Sequence, residues 1–304
     1  MRILRQTFGL LIALATLCNF TAAREIYVNN VIGSDLLDGT LASNTDVGRG
    51  PYHSIARALK AAEPSDHLII ANTQRPYRES ITLEGSRHSG TPYQPFSVES
   101  AGAVLDGSQS VPPDAWQHVS GDVFRFQPRK KDFAQVFLDG APAVRHLASE
   151  SEDWVNRLEP KQWSLAEGWI YYRVEPHMLP EQYPLTYAVL PVGLTLYKVE
   201  NVLISGLIIQ GFQIDGVNLN DAAGPTVLNG LSCRANGRSG IAVVGDSQVD
   251  LHRCTLADNA IAQLLLEGYS TANLSGCQLS DSSAPKWRIH DGAELLINGK
   301  LAPR

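Results

Sequence analysis

Asp215, Asn218, Asn220 and Asp221 crowd one short stretch of the chain, and Asp246, Glu267, His290 and Asp291 follow at intervals after it. Acids that approach within several ångströms can share acid and base work in glycoside cleavage or hold Ca2+ through carboxylate oxygens. Asp215 and Asp221 are therefore candidate catalytic acids, and Asp221, Asp246 and Asp291 a candidate Ca2+ set. A lyase needs instead a cation to neutralise a uronate carboxylate and a base to take the adjacent proton. His252 with Arg253 and Arg145 with His146 could supply that pair, and Arg234, Arg238 and Lys198 are further cations. His252 and Arg253 are neighbours in a strand-like segment, so they point to opposite faces unless one sits at a bend. The competing reading is that Asp and Asn simply build tight turns.

These residues lie in a stretch with a repeat. Gly206, Gly230, Cys254 and Cys277 recur every two dozen residues. Two apolar columns run in step with them, Val217, Ile241, Leu264, Trp287 and Leu219, Val243, Leu266, Ile289. Apolar pairs two residues apart inside such a period indicate short strands, each coil stacked on the one before. Asn, Asp, Gly and Ser fill the places between, as in Asp215-Gly216, Asn236-Gly237, Gly245-Asp246 and Asp258-Asn259. The expected architecture is an all-β, right-handed parallel β-helix. The four anchors Gly206, Gly230, Cys254 and Cys277 are expected to lie directly over one another. Cys254 and Cys277 then share an inward column as free thiols, and Cys233 stays outside it.

Upstream, Leu68–Ile70, Ser80–Leu83, Phe96–Glu99 and Val104–Leu105 read as the strands of a first coil. Ser54 to Ala62 reads as an amphipathic helix capped by Ser54, placed to cover the open N-terminal edge. Residues 111–190 break the period and hold four of the five tryptophans, which indicates a small β-rich insertion whose aromatics form its own core. The organisation expected is a signal peptide over 1–23, an N-terminal cap and first coil over 24–110, the insertion over 111–190 and the repeats over 191–304.

Of 304 residues, 44% are hydrophobic and 18% charged, and the formal net charge is −6. No basic patch of five or more residues is present, which argues against a nucleic-acid partner. Arg2 and Arg5 precede the apolar run Phe8–Leu17, and Thr21-Ala22-Ala23 offers small residues for cleavage. That run is too short to span a bilayer, so the expectation is export to the periplasm or outside the cell, with no transmembrane anchor.

The opening Ile26-Tyr27-Val28-Asn29, Gly33-Ser34-Asp35, Asp38-Gly39-Thr40, Gly50-Pro51-Tyr52-His53-Ser54-Ile55 and Ala58-Leu59-Lys60-Ala61-Ala62 resembles that of secreted bacterial right-handed parallel β-helix proteins of the pectin-lyase-like superfamily. The resemblance implies a polysaccharide lyase or glycoside hydrolase working on an extended glycan, or a non-catalytic β-helix that binds carbohydrate or protein partners. It also marks departures. The coil repeats contain no Glu-x-Glu pair of the kind that builds the Ca2+ site of alginate lyases, and Asn218-Leu219-Asn220-Asp221 only echoes the polygalacturonase pattern. Nothing after Asn298-Gly299-Lys300 reads as a capping helix, which leaves self-association through the C-terminal coil as a third reading.

Overall fold

In the computed structural model, residues 23–44, 47–129, 133–148, 154–222, 224–281 and 284–303 are described. The signal peptide expected over 1–23 lies almost entirely outside them. Among the described residues no helix is long and apolar enough to cross a membrane.

The chain winds into a right-handed parallel β-helix whose coils contribute one strand to each of three sheets. The first sheet stacks Glu25–Val28, His67–Ile70, Phe96–Ser100, Val202–Ser205, Thr226–Asn229, Gln248–His252, Thr271–Ser275 and Glu294–Ile297. A second sheet runs from Ile81–Glu84 through Leu194–Tyr197, Asp215–Asn220, Ser239–Val244 and Ala262–Leu266 to Trp287–Ile289. The third contains Val104–Asp106, Ile208–Gln210, Ser232–Arg234, Thr255–Ala257 and Gln278–Leu279. Leu68–Ile70 thus belongs to a rung above the first full coil, paired with the opening strand.

Both expected apolar columns are present. Leu194, Val217, Ile241, Leu264 and Trp287 lie in register, as do Leu196, Leu219, Val243, Leu266 and Ile289. Identical inward positions on adjacent rungs bury area against each other, and all members except Trp287 and Ile289 are buried. The anchor column is corrected by one residue. Ser205, Asn229, His252 and Ser275 are in register, so the next position holds Gly206, Gly230, Arg253 and Gly276, with φ of 70°, 62°, 53° and 64°. Cys254 and Cys277 sit one step further, beneath Leu207 and Leu231. The third coil's step is one residue shorter than the second's, so matching glycine to cysteine across it mixed two columns: a left-handed corner and an inward apolar row. The cysteines nevertheless share one row and are free, and Cys233 lies elsewhere, in the row of Leu105, Ile209 and Leu256.

Ser54 caps the helix Ile55–Ala61, accepting from the Arg57 N–H at 3.1 Å, and Ile55, Ala58 and Leu59 join the core from the N-terminal end. Glu79 reinforces that cap by accepting from the N–H groups of Ile55 and Ala56 at 3.0 and 2.8 Å. At the other end a short hairpin returns, with Lys300–Leu301 pairing antiparallel to Glu294–Ile297 through an Asn298-Gly299 turn. That return covers the edge of the first sheet, while Trp287–Ile289 and Gln278–Leu279 end the other two.

Between Val104–Asp106 and Leu194–Tyr197 the chain leaves the coils and forms two antiparallel four-stranded sheets. Phe126, Trp163, Ile170, Tyr172 and Tyr187 fill the interior of this excursion, and Tyr171 packs with Trp154 and Trp169 in a smaller cluster. These aromatics are thus spent on the excursion's own packing. Phe137 and Ala188 rest on Ala235 of the third sheet's corner, which seats the excursion against the coils.

Candidate functional site

The seam between the excursion and the third sheet opens into a cleft of ≈ 250 Å³, lined by Arg78, Asp106, Ser108, Asp139, Gln210 and Gly211 among others. Asp106 ends the first strand of the third sheet at the point where the chain departs. Its Oδ1 accepts from the Ser108 N–H at 2.8 Å, and Gln210, one rung below, donates to Oδ2 at 3.4 Å. Arg78 Nη1 stands 4.0 Å from Asp106 Oδ1 and donates to the Ser108 carbonyl. Gln210 Oε1 in turn accepts from Arg234 Nε at 2.9 Å. The result is a row of alternating charge, with Asp106 7% exposed at its centre. Gly211 makes the close approach feasible. Its φ is 73°, and a Cβ there would meet Asp106 Oδ1 at 2.9 Å.

The opposite wall is the tip of a hairpin, Val136–Leu138 with Ala141–Pro142, joined by Asp139 and Gly140 at φ of 53° and 75°. Two consecutive left-handed residues make the tight turn that suits strand twist. They leave the exposed Asp139 carboxylate without a hydrogen-bond or ion-pair partner among the described residues, with the Tyr172 hydroxyl within electrostatic reach. The cleft therefore presents one fixed, arginine-flanked carboxylate and one uncommitted carboxylate, with amide and guanidinium donors beside them. Such a set can bind hydroxyls in bidentate fashion and pair with an anionic group.

None of the candidates Asp215, Asp221, Arg145, His146, His252 and Arg253 lines this cleft. Asp215 is fully buried, a correction to its expected exposure. Arg238 approaches its Oδ2 at 2.6 Å and its Oδ1 at 3.0 Å, Ser239 donates at 2.6 Å and Asn218 at 3.0 Å, so no lone pair is left for substrate. Asp221 and Asp291 occupy the left-handed corner that follows the second sheet, with Lys198, Gly245 and Gly268 between or beside them. They lie three rungs apart, about 14 Å at ~4.8 Å per rung. Asp221 and Asp246 do share an open site, but with Lys198 and Glu200. The Ca2+ set of Asp221, Asp246 and Asp291 is thus not brought together, and no group of three acids, histidines or cysteines placed to hold a metal ion occurs among the described residues. Asp and Asn tolerate the left-handed conformation best after glycine, so the corners explain Asp221 and Asp291.

Arg145 and His146 run alongside Trp163, with the Arg145 guanidinium 5.0 Å from the ring centroid and the His146 N–H donating to the Trp163 carbonyl at 2.8 Å. They stand on the excursion, away from the seam. His252 and Arg253 do come together, because Arg253 is the bend residue. They share a shallow groove with Asn229, which accepts from Arg253 Nη2 at 2.9 Å. Sequence reasoning missed Arg78, Asp106, Asp139 and Gln210. The usable signal was positional: Asp106-Gly107 stands where the period breaks, so any groove at the excursion must include it.

No protein-family model and no curated protein sequence matches the chain. Solved structures are similar at low identity. One, with the words "glycoside hydrolase", is 10% identical with a TM-score of 0.56, over 83% of this chain and 77% of that one. The chain shares that protein's fold. The complex of XylC with xylose matches at 13% identity and a TM-score of 0.44 over 87% of this chain, and pectate lyase Pel9A at 11% and 0.49 over 91%. The chain spans 65% of the length of the former and 53% of the latter.

Proposed function

We propose that the protein is an exported carbohydrate-active β-helix protein that takes a glycan into the seam cleft. The observation that carries this reading is the convergence of Arg78, Asp106 and Gln210 from the coils with Asp139 from the hairpin on one open cleft. Sugars are bound by planar bidentate groups that match vicinal hydroxyls, and this cleft offers two carboxylates, an amide and a guanidinium. The kinship of fold with a glycoside hydrolase supports the same direction. Export rests on the Arg2, Arg5 and Phe8–Leu17 pattern.

In the catalytic form of this reading, a lyase or a hydrolase, Asp139 is the proton-transferring group and the Arg78–Asp106 pair positions the sugar. A non-catalytic glycan-binding form is favoured by one observation, that both Asp106 oxygens already accept hydrogen bonds. A panel of uronans and neutral glycans separates these forms. Cleavage would raise ultraviolet absorbance through unsaturated ends or release reducing ends, and Asp139→Asn would abolish it. Saturable binding without product, weakened at least tenfold by Arg78→Ala, would establish the binding form. Absence of both binding and cleavage across the panel would overturn the proposal.

A further inference from the structure

Cys254 and Cys277 stack with the same side-chain conformation. Each sulfur lies against the carbonyl oxygen of the residue one rung up, Leu228 at 3.3 Å for Cys254 and Leu251 at 3.2 Å for Cys277. Each also sits over the carbonyl two residues before it, His252 at 3.5 Å and Ser275 at 3.8 Å. The Gln278 N–H donates to the Cys254 carbonyl at 2.8 Å, which fixes the two residues on adjacent rungs. Two sulfurs in matching conformations one rung apart are separated by about the rung spacing, ~4.8 Å. A metal–thiolate bond is ~2.3 Å, so an ion held linearly between two sulfurs spans ~4.6 Å. The two lengths agree to within a few tenths of an ångström, about the amount that a change of side-chain rotation takes up.

The surroundings fit a soft ion. Cys254 is 1% exposed within the apolar core, which excludes competing water. Cys277 opens onto a cleft at the C-terminal end lined by Leu274, Leu279, Lys286, Trp287 and Ile297, which provides a path for entry. Among the described residues no third histidine, cysteine or carboxylate joins the pair, so zinc, which takes four ligands, finds no site. Thiolates alone in an apolar setting select a soft monovalent ion.

We propose that Cys254 and Cys277 form a two-coordinate site for a soft monovalent metal ion, copper(I) or silver(I). The ion forms two metal–sulfur bonds and displaces the two thiol protons to solvent, with no change of oxidation state. The inference stands independently of the glycan reading.

The test is titration of the reduced, full-length protein with silver(I), followed by native mass spectrometry and by charge-transfer absorbance in the ultraviolet, with copper(I) delivered from a chelator as a second probe. One equivalent is expected to be retained by the protein and by Cys233→Ser. Cys254→Ser and Cys277→Ser are expected to weaken retention at least 100-fold, while their unaltered circular dichroism shows that the coils remain. Equal retention by either of these two variants, or loss in Cys233→Ser, would overturn the site. A fold that fails in Cys254→Ser leaves the surface-facing Cys277→Ser to decide.

Discussion

Arg238 and Asp215 meet at 2.6 Å, with the carboxylate fully buried and the guanidinium side chain 24% exposed. Removing the cation alone would leave a buried, unpaired charge, which costs about 3–5 kcal/mol. Arg238→Ala is therefore expected to lower the denaturation midpoint sharply, and Asp215→Asn with Arg238→Ala to recover part of the loss. Denaturant unfolding of these two variants beside the parent protein checks this. A single variant as stable as the parent protein would show that Asp215 is solvated and open to a chemical role.

The inward row also makes a quantitative expectation. Leu231 is 1% exposed between Leu207 and Cys254. Truncation to Ala removes a fully packed side chain, at a cost of about 2–5 kcal/mol. Gly230→Ala, one residue earlier at φ 62°, is expected to cost only about 1–2 kcal/mol because nothing crowds its Cβ and only backbone strain opposes it. A larger loss for Gly230→Ala than for Leu231→Ala would contradict the one-residue shift between the corner column and the apolar row.

His88 gives the protein a defined acid response. It is 4% exposed, accepts from the Glu84 N–H at Nδ1 and bonds the Leu59 carbonyl at Nε2, which ties the capping helix to the first coil. Burial holds its folded pKa below the ordinary value near 6.5. The unfolded chain therefore binds the proton more readily, so stability is full above about pH 7 and falls as the pH drops below 6.5. His88→Gln is expected to flatten this limb of the curve. A stability profile with the same slope in both proteins would remove His88 as its source.

The two apolar columns of the second sheet were legible in the sequence to the residue, because stacked rungs demand like beside like every coil. The corner column was legible only in outline. Gly206 and Gly230 announce it, but Arg253 at φ 53° occupies the same place without glycine's signature. Acids were misread for a related reason. Asp221 and Asp291 take left-handed corners, and a polar residue chosen for backbone conformation looks in sequence like one chosen for chemistry. The cleft was hidden because its walls come from distant parts of the chain. Arg78 and Gln210 reach Asp106 through coil stacking, and Asp139 through a hairpin whose seat on Ala235 no local pattern reveals.

Four of the five tryptophans lie on the excursion and Trp287 on the last rung of the second sheet, so tryptophan emission reports mainly on the excursion. Trp163 is fully buried and donates from Nε1 to the Ala143 carbonyl at 3.0 Å. Phe137→Ala, which removes a ring from the Phe137, Ala188 and Ala235 seat, is expected to loosen the excursion before the coils unfold. Fluorescence should then change at lower denaturant than the far-ultraviolet signal of the sheets. Coincident transitions in this variant would mean that the two parts unfold as one unit.

The account turns on the seam cleft as the working surface, and hydrogen–deuterium exchange with an oligosaccharide bound tests that most directly. Protection is expected at residues 104–108, 136–141 and 208–211, with little change elsewhere. Protection centred on His252 and Arg253, or on Lys198, Asp221 and Asp246, with the seam unchanged would contradict it.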